Sequence, residues 1–222
     1  LIRWVNSVET IGSLPDLTIV IANEFFDALP FHRIVSKDGE MQEIYLGHGD
    51  GFFESTGPLS GAAASFLNRY PVSLGQGCAS EITAYGWPLL ERLSASLGRA
   101  CLIVFDYGYH NIDMECGRFP EGSIMAYRAG STRASPFAHL GDSDITHHVN
   151  FDHLTSMLGD LGWKKEGETE QYRFLLNAGI IDEFGPLPSE ERLSAKWLIN
   201  QEGLGSMISV LGFSRGLSIS LP

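Results

Sequence analysis

The chain has 222 residues, 44% of them apolar and 19% charged, a balance that supports one sizeable core, or a core with a small lobe, and gives no reason to read disorder. Fifteen Lys+Arg against 27 Asp+Glu give a formal charge of −12, which repels phosphate backbones and anionic lipid surfaces when no basic run exceeds Lys164-Lys165. Nucleic-acid binding and membrane insertion are therefore set aside; a basic partner or basic peptide segment suits the charge, although acidity that only maintains solubility is the plainer reading.

The opening stretch "LIRWVNSVETIGSLPD" has neither a basic start nor a cleavage site of signal-peptide type, lacks an initiator Met, and begins as if inside an element. A piece of a longer protein is the expectation. Residues 17–22, "LTIVIA", are continuous, apolar and rich in β-branched side chains, which predicts a strand buried on both faces and hence parallel. Asn23 ends it and is a good cap for a helix beginning there. "HRIVSKDGEMQEIYLGHGDGFFES" carries two strand-type runs around a "KDG" turn, predicting an antiparallel hairpin over 32–46 with room for a third strand. "SGAAASFLNRY" reads as a short helix.

From Glu81 onward, Ile82, Tyr85, Leu89, Leu90, Leu93 and Leu97 recur at helical spacing, and Gly98 is a natural stop. "ACLIVFDYG" comes next as a second buried strand, and helix passing directly into buried strand is the pattern of a doubly wound α/β sheet. "NFDHLTSMLGDLGW" predicts a helix capped by Asn150 or Asp152, with Leu154, Met157, Leu158 and Leu161 inward. A polar strand near 164–172, helical "QYRFLLNAG", a helix at about 189–200 and a last strand in "MISVLGFS" complete the chain. No internal repeat or interdomain linker is visible.

Ligands of open α/β sheets bind beyond the carboxyl ends of the strands, so Asn23, Glu24 and Asp27 at the first such end, and Asp106, Tyr107 and His110 at the second, are the candidate site residues. Two acidic strand ends favour a cationic or hydrogen-bond-donating ligand. Each also has a bland reading. Carboxylates in a helix's first turn are stabilised by its dipole, and an Asp before Gly108 opens a turn. His147-His148 forms no metal-ligand spacing, so no metal is expected. Cys78, Cys101 and Cys116 are odd in number with no CxxC pair, pointing away from a disulfide framework and toward a reducing compartment. "GHGDG" (47–51) comes after a hairpin strand and precedes no helix, which favours a turn over a phosphate cradle. "GFSRG" (212–216) mimics a nucleophile elbow, but too little chain remains beyond Ser214 to supply a helix, an acid and a histidine.

"ANEFFDALP", "DYGY", "GSIMAYR" and "DITHHVNFDHL", in that order, resemble the mitochondrial dysfunction A (MidA) family of S-adenosylmethionine-dependent methyltransferases, and the likeness continues through "FLLNAGI" and into "GLGSMISVL". The resemblance implies the carboxyl-terminal part of a class I, Rossmann-like methyltransferase domain over residues 1–222, its sheet ending in an antiparallel pair, with a β-rich lobe inserted at about 31–75. It implies S-adenosyl-L-methionine as cofactor and, for mitochondrial members, methylation of an arginine in a protein substrate during assembly of respiratory complex I. By that resemblance Glu24 grips the substrate with Asp27 in support, Asn23 lies near the cofactor's methyl end, and Asp106, Tyr107 and His148 line the substrate side. A complex I subunit and a second copy of the chain are the expected partners. The expected compartment is the mitochondrial matrix in a eukaryote and the cytoplasm in a bacterium.

The sequence departs from the family in two respects. An acidic residue followed by GxGxG after a first parallel strand is absent, and Asn150 stands where the family has Asp. The expectation is that this chain alone binds the cofactor weakly or not at all. A non-catalytic assembly factor using the same acidic edge is the rival reading.

Overall fold

The computed structural model describes residues 4–10, 14, 16–115, 117–128, 136–137 and 140–222, so Cys116 lies outside it. A short 3-10 turn (Val8–Thr10) precedes β1 (Leu17–Asn23), β2 (His32–Lys37), β3 (Glu40–His48), β4 (Phe52–Gly57), α1 (Gly61–Arg69), β5 (Ala79–Ile82) and α2 (Gly86–Ala95). Then come β6 (Arg99–Asp106), β7 (Gly108–Tyr109), α3 (Asn111–Glu115), β8 (Met125–Tyr127), β9 (Asp144–Thr146), β10 (Val149–Asn150) and α4 (Phe151–Asp160). The chain closes with β11 (Lys164–Glu170), α5 (Gln171–Asn177), α6 (Ile180–Phe184), α7 (Ser189–Leu198), α8 (Leu204–Met207) and β12 (Ser209–Arg215). These elements gather into two compact units, one holding the chain up to Phe25 with Leu89–Gly108 and Met157–Pro222, the other Phe26–Pro88 with Tyr109–Ser156.

The first unit is built on a four-stranded sheet in the order β1-β6-β12-β11. β1 runs parallel to β6, from Leu17 opposite Arg99 to Asn23 opposite Phe105. β12 is antiparallel to both β6 and β11, so β11 points the same way as β1 and β6. The expected parallel pair and closing antiparallel pair are both present. Ala100, Leu102 and Val104 of β6 and Val210, Leu211 and Phe213 of β12 are buried in this unit, with Val104 paired to Leu211 and Leu102 to Phe213. Trp163 adds its ring to that core and donates its indole N–H to Ser94 Oγ at 2.8 Å, giving the polar edge of a buried aromatic its partner.

β1 departs from expectation on one face. Leu17, Ile19 and Ile21 are 59–66% exposed, whereas Ala22 is buried. The strand lies at the sheet edge, with β6 as its sheet neighbour among the described residues, and a two-faced apolar sequence buries only the face that has something to pack on.

Asn23 does not start a helix. It is the last residue of β1, and the chain from Glu24 to Phe31 is a non-helical turn. The backbone donors that a helix would leave for a cap are used otherwise: Glu24 N–H donates to the Phe105 carbonyl at 2.8 Å and Phe25 N–H to Asp106 Oδ2 at 3.3 Å. Asp106 is fully buried, and its Oδ1 accepts the Tyr107 N–H at 3.0 Å. One carboxylate thus ties the end of β1 to the end of β6 and turns the chain after both.

The second unit has an antiparallel sheet in the order β4-β3-β2-β5 and a small β8–β9 pair. The predicted hairpin and its third strand are present, but the helix expected from Glu81 is not: Ala79–Ile82 is a strand paired with β2, buried at all four positions, and the helix begins only at Gly86. Ile82 and Tyr85 match helical spacing by coincidence. Ser60 caps α1, its Oγ accepting Ala63 N–H at 3.3 Å, while Glu43 Oε2 accepts Ser60 N–H at 2.7 Å. At α4 the structure selects Asn150 over Asp152 as the cap, since Asn150 Oδ1 accepts the N–H groups of Asp152 and His153 at 3.0 Å each.

Replacing Asp106 by Ala leaves two backbone N–H groups without their acceptor, and we expect a loss of about 2 kcal/mol or more in urea denaturation, with Asn at the same position recovering part of it. A second expectation concerns His153, which is buried against the Phe66 ring at 5.3 Å with Nε2 lacking a hydrogen-bond partner. Burial pushes its pKa down to about 4, against the opposing effects of the Pro71 carbonyl and Asp152. Below the unfolded value of about 6.5 the unfolded chain takes up this proton first, so folding stability falls as pH drops from about 6.5 to about 4, by up to about 3 kcal/mol from this residue. Urea midpoints measured across that range should slope less steeply in His153→Gln than in the wild type.

Candidate functional site

The carboxyl edge of the first unit's sheet can be read from its register. Asn23 lies opposite Phe105, Asp106 opposite Ser209, and Ser209 opposite Glu170, so the ends of β1, β6 and β11 are level. Such an edge is where an α/β sheet presents its ligand site. Glu24, the first residue beyond it, is exposed and has φ of 43°, a left-handed backbone that non-glycine residues seldom adopt. The Glu24–Phe105 and Phe25–Asp106 hydrogen bonds hold it there. Backbone strain of this kind persists only where surrounding contacts over-determine it, and it collects at functional positions.

Of the residues expected to act, Asn23, Glu24, Asp106 and Tyr107 belong to this unit. Asn23 and Glu24 are exposed and Tyr107 is half-buried, so all three can meet a ligand. Asp106 is fully enclosed and its carboxylate meets backbone donors.

Asp27, His147 and His148 belong to the second unit. The Asp27 side chain is 5% exposed and its carbonyl accepts the His147 N–H at 3.0 Å. His147 Nδ1 donates to the His148 carbonyl at 3.0 Å, which leaves Nε2 to accept from Thr83 Oγ1 at 3.4 Å. His148 stacks on Phe119 at 4.9 Å, and its N–H donates to Ser123 Oγ at 2.9 Å. Burial holds both imidazoles below their usual range, with the Arg118 charge adding to the effect at His148. Both are therefore neutral bases near pH 7.

Sequence reasoning missed the group that supports His148. Glu81, 2% exposed, accepts Ser123 N–H at 2.8 Å and Ser123 Oγ–H at 2.9 Å through Oε2, and Arg33 Nε–H at 3.4 Å through Oε1. Arg33 also donates to Glu54 and to the Glu121 carbonyl. Gly122 makes this possible: its φ is +84°, and a Cβ there would sit 2.3 Å from Glu81 Oε1. That cradle accounts for Gly-Ser in the "GSIMAYR" stretch, and no local pattern in the sequence joins positions 33, 81 and 123.

The decoys resolve as ordinary structure. "GHGDG" turns the β3–β4 hairpin, with Gly49 N–H donating to the Gly51 carbonyl at 2.9 Å. Ser214 lies within β12, 1% exposed, and donates to Glu166 Oε1 at 2.6 Å. Among the described residues no group of three His, Cys, Asp or Glu side chains could hold a metal ion, and no helix is long and apolar enough to cross a membrane.

Comparison with known proteins bears on the family and the fold. A family model described as "Putative S-adenosyl-L-methionine-dependent methyltransferase" matches residues 1–169. The mitochondrial protein arginine methyltransferase NDUFAF7 homolog of Caenorhabditis elegans is 27% identical over 81% of this chain and 41% of its own length. The mitochondrial protein arginine methyltransferase NDUFAF7 of Danio rerio is 28% identical over 96% of the chain and 51% of its own length. The chain thus spans about half the length of these curated relatives. A crystal structure from Burkholderia thailandensis bound to S-adenosyl-homocysteine superposes with a TM-score of 0.80 at 26% identity, covering 99% of this chain and 58% of that one. The β1-β6-β12-β11 sheet is accordingly one side of a class I methyltransferase sheet, and the chain belongs to the MidA-type family of S-adenosyl-L-methionine-dependent methyltransferases.

Proposed function

We propose that this chain carries the acceptor side of a protein arginine methyltransferase. The single observation behind the reading is Glu24, an exposed carboxylate held in a left-handed backbone at the carboxyl end of a parallel strand. Bound S-adenosylmethionine would supply an electrophilic methyl carbon on a sulfonium. Methyl transfer is an in-line displacement, so the residues around it chiefly align the nucleophile and keep water out. A guanidinium is a poor nucleophile while its charge is delocalised. A carboxylate that accepts two of its N–H groups fixes the plane and draws charge toward one side, leaving the remaining nitrogen better placed to attack.

In this proposal Glu24 makes that grip. Asn23, beside it and exposed, faces the cofactor's methyl end, and Tyr107 contacts the substrate; His148, in the other unit, is by the family resemblance a separate candidate for substrate contact. Asp106 contributes by holding Phe25 N–H, and hence the backbone of Glu24, in position. Asp27, which the family resemblance puts in support of Glu24, is nearly enclosed. The chain's charge of −12 favours a substrate segment rich in arginine and lysine. A respiratory complex I subunit, processed in the mitochondrial matrix, is the substrate the family resemblance suggests for a eukaryotic protein; a bacterial one would act in the cytoplasm.

The described residues fit the cofactor on this side only. Asn23 and Glu24 meet the requirement for polar groups at the carboxyl edge, but no glycine-rich loop after a parallel strand occurs in the 222 residues, and GHGDG is a hairpin turn. The second reading, which the charge of −12 also suits, is a non-catalytic assembly factor that holds a basic partner on the same acidic edge.

Two measurements separate these readings. Mass spectrometry of complex I subunits co-expressed with the protein should find a methylated arginine, and Glu24→Gln should lower its occupancy by about 10²-fold without moving the unfolding midpoint. Methylation equal in both proteins would remove Glu24 from the mechanism, and none in either would favour the assembly factor. In titration calorimetry the 222-residue chain alone should bind S-adenosylmethionine weakly or not measurably; a micromolar Kd would overturn that expectation.

A further inference from the structure

Within the second unit, His148 is held at two points by a single neighbour. Ser123 Oγ accepts the His148 backbone N–H at 2.9 Å, and the Ser123 carbonyl accepts a ring N–H of the same residue. A carbonyl can only accept, so the ring nitrogen that meets it carries the hydrogen of the neutral imidazole. The other nitrogen keeps the lone pair. The ring plane is set separately, by the stack on Phe119 at 4.9 Å with 29° between the planes. Tautomer and orientation are therefore set by Ser123 and Phe119 rather than by solvent.

Ser123 is itself fixed by Glu81. Both of its donors, the backbone N–H at 2.8 Å and Oγ–H at 2.9 Å, meet one oxygen, Glu81 Oε2. That arrangement sets the direction of the whole chain of bonds. A hydroxyl whose hydrogen is committed to a carboxylate has only lone pairs to offer, and it offers one to the His148 N–H. The residues before Ser123 are tied to the strand that carries Glu81: the Pro120 carbonyl accepts Ala79 N–H at 2.9 Å, and Glu121 forms a bridge with Ala79. Glu81 is 2% exposed, and its other oxygen accepts Arg33 Nε–H at 3.4 Å. Water does not compete for a carboxylate enclosed in this way, so its donors stay in place.

We propose that Glu81 is a positioning residue for methyl transfer: through Ser123 it fixes the tautomer and ring orientation of His148, and with them the nitrogen that meets the substrate. The inference rests on the reading of His148 as a substrate contact, whereas the hold of Glu81 on His148 stands on the hydrogen bonds. A nitrogen with a fixed lone pair suits a substrate group that donates, such as a guanidinium N–H. Glu81 also acts by its charge. Burial does most to lower the His148 pKa and the Arg118 guanidinium adds to it, while the Ser123 carbonyl and Glu81 oppose them. The neighbouring His147, neutral and buried, is the other titratable group that reaches His148.

The test separates the bonds from the charge. Glu81→Gln keeps a carbonyl oxygen for both Ser123 donors and removes the charge, Ser123→Ala keeps the charge and removes the hydroxyl, and Glu81→Ala removes both. Two-bond proton–nitrogen correlation spectra of the isotope-labelled 222-residue chain read the tautomer and titration of each imidazole, with His148 assigned through His148→Gln. The wild type should show one His148 tautomer. Glu81→Gln should keep that tautomer but titrate at lower pH, and Glu81→Ala should give a mixture of both. In Ser123→Ala the His148 amide hydrogen should exchange about tenfold faster, the loss of one hydrogen bond. In the co-expression assay, Glu81→Ala should lower arginine methylation by about tenfold and Glu81→Gln should restore most of it. A wild-type exchange rate at His148 in Ser123→Ala, or a single unchanged tautomer in Glu81→Ala, would overturn the proposal. If Glu81→Ala does not fold, the near-isosteric Ser123→Ala and Glu81→Gln decide it. A scrambled tautomer in Glu81→Ala together with full methylation by His148→Gln keeps the hold of Glu81 on His148 and defeats the reading of His148 as a substrate contact.

Discussion

Everything at the candidate site hangs on the buried carboxylate of Asp106. It is fully enclosed, accepts backbone N–H groups from both the strand it ends and the strand beside it, and lies opposite Ser209 at the start of the last strand. A buried charge is tolerable only where hydrogen bonds replace its lost hydration. Here that requirement fixes the two chain segments that leave β1 and β6 at one point. The left-handed backbone of Glu24 is a consequence, because its N–H and the next are both claimed by β6 before a helix could form.

The same device recurs in the other unit. Glu43 accepts the Ser60 N–H at the start of α1 and pairs with His32, and Glu81 accepts the Ser123 N–H and pairs with Arg33. Burial alone would raise the Glu43 pKa, but the Ser60 N–H and His32 outweigh it and hold the carboxyl below its ordinary value. An acidic composition therefore has two parts in this protein. Enclosed carboxylates pin backbone turns, while others, Glu24 and the four on α6 and α7 among them, are exposed. Net charge alone cannot separate these, because the distinction depends on which backbone donors lie within reach.

Much of the sheet was legible from sequence for a simple reason. "ACLIVF" is apolar throughout and "MISVLGFS" largely so because they supply central strands buried along most of their length, and β-branched or aromatic runs of that length have few other uses. The antiparallel hairpin announced itself through its "KDG" turn, and Asp38 and Gly39 do take the positive φ values that such a turn requires. The misreadings have equally local causes. Asn23 looked like a cap because caps and strand ends draw on the same residues, and only the distant Asp106 decides between them. The helix drawn from Glu81 arose because Ile82 and Tyr85 fall on the stripe of α2, while pairing to a strand far back in the chain, with Ser80 opposite Ile34 of β2, overrides that local period. Burial on both faces of "LTIVIA" could not be settled from the run itself, since apolar character shows what a strand can pack against and not what is there.

The connections out of the first unit's sheet share one edge. The chain leaves that unit after Phe25 and after Gly108, each time directly beyond a strand's carboxyl end, and it returns inside α2 and α4. The third excursion, α5 to α8, also departs from a carboxyl end, after Glu170. A connection that replaced a tight turn at this edge would leave the sheet's register intact, because β1, β6 and β11 are fixed by their neighbours and by the Asp106 junction rather than by the connections that leave them. Insertions are thus tolerated on the same side where strand ends present polar groups to a ligand. The β-rich unit and the α5–α8 segment can therefore differ in length and sequence while the geometry of Glu24 stays set by a hydrogen-bonded junction that neither excursion supplies.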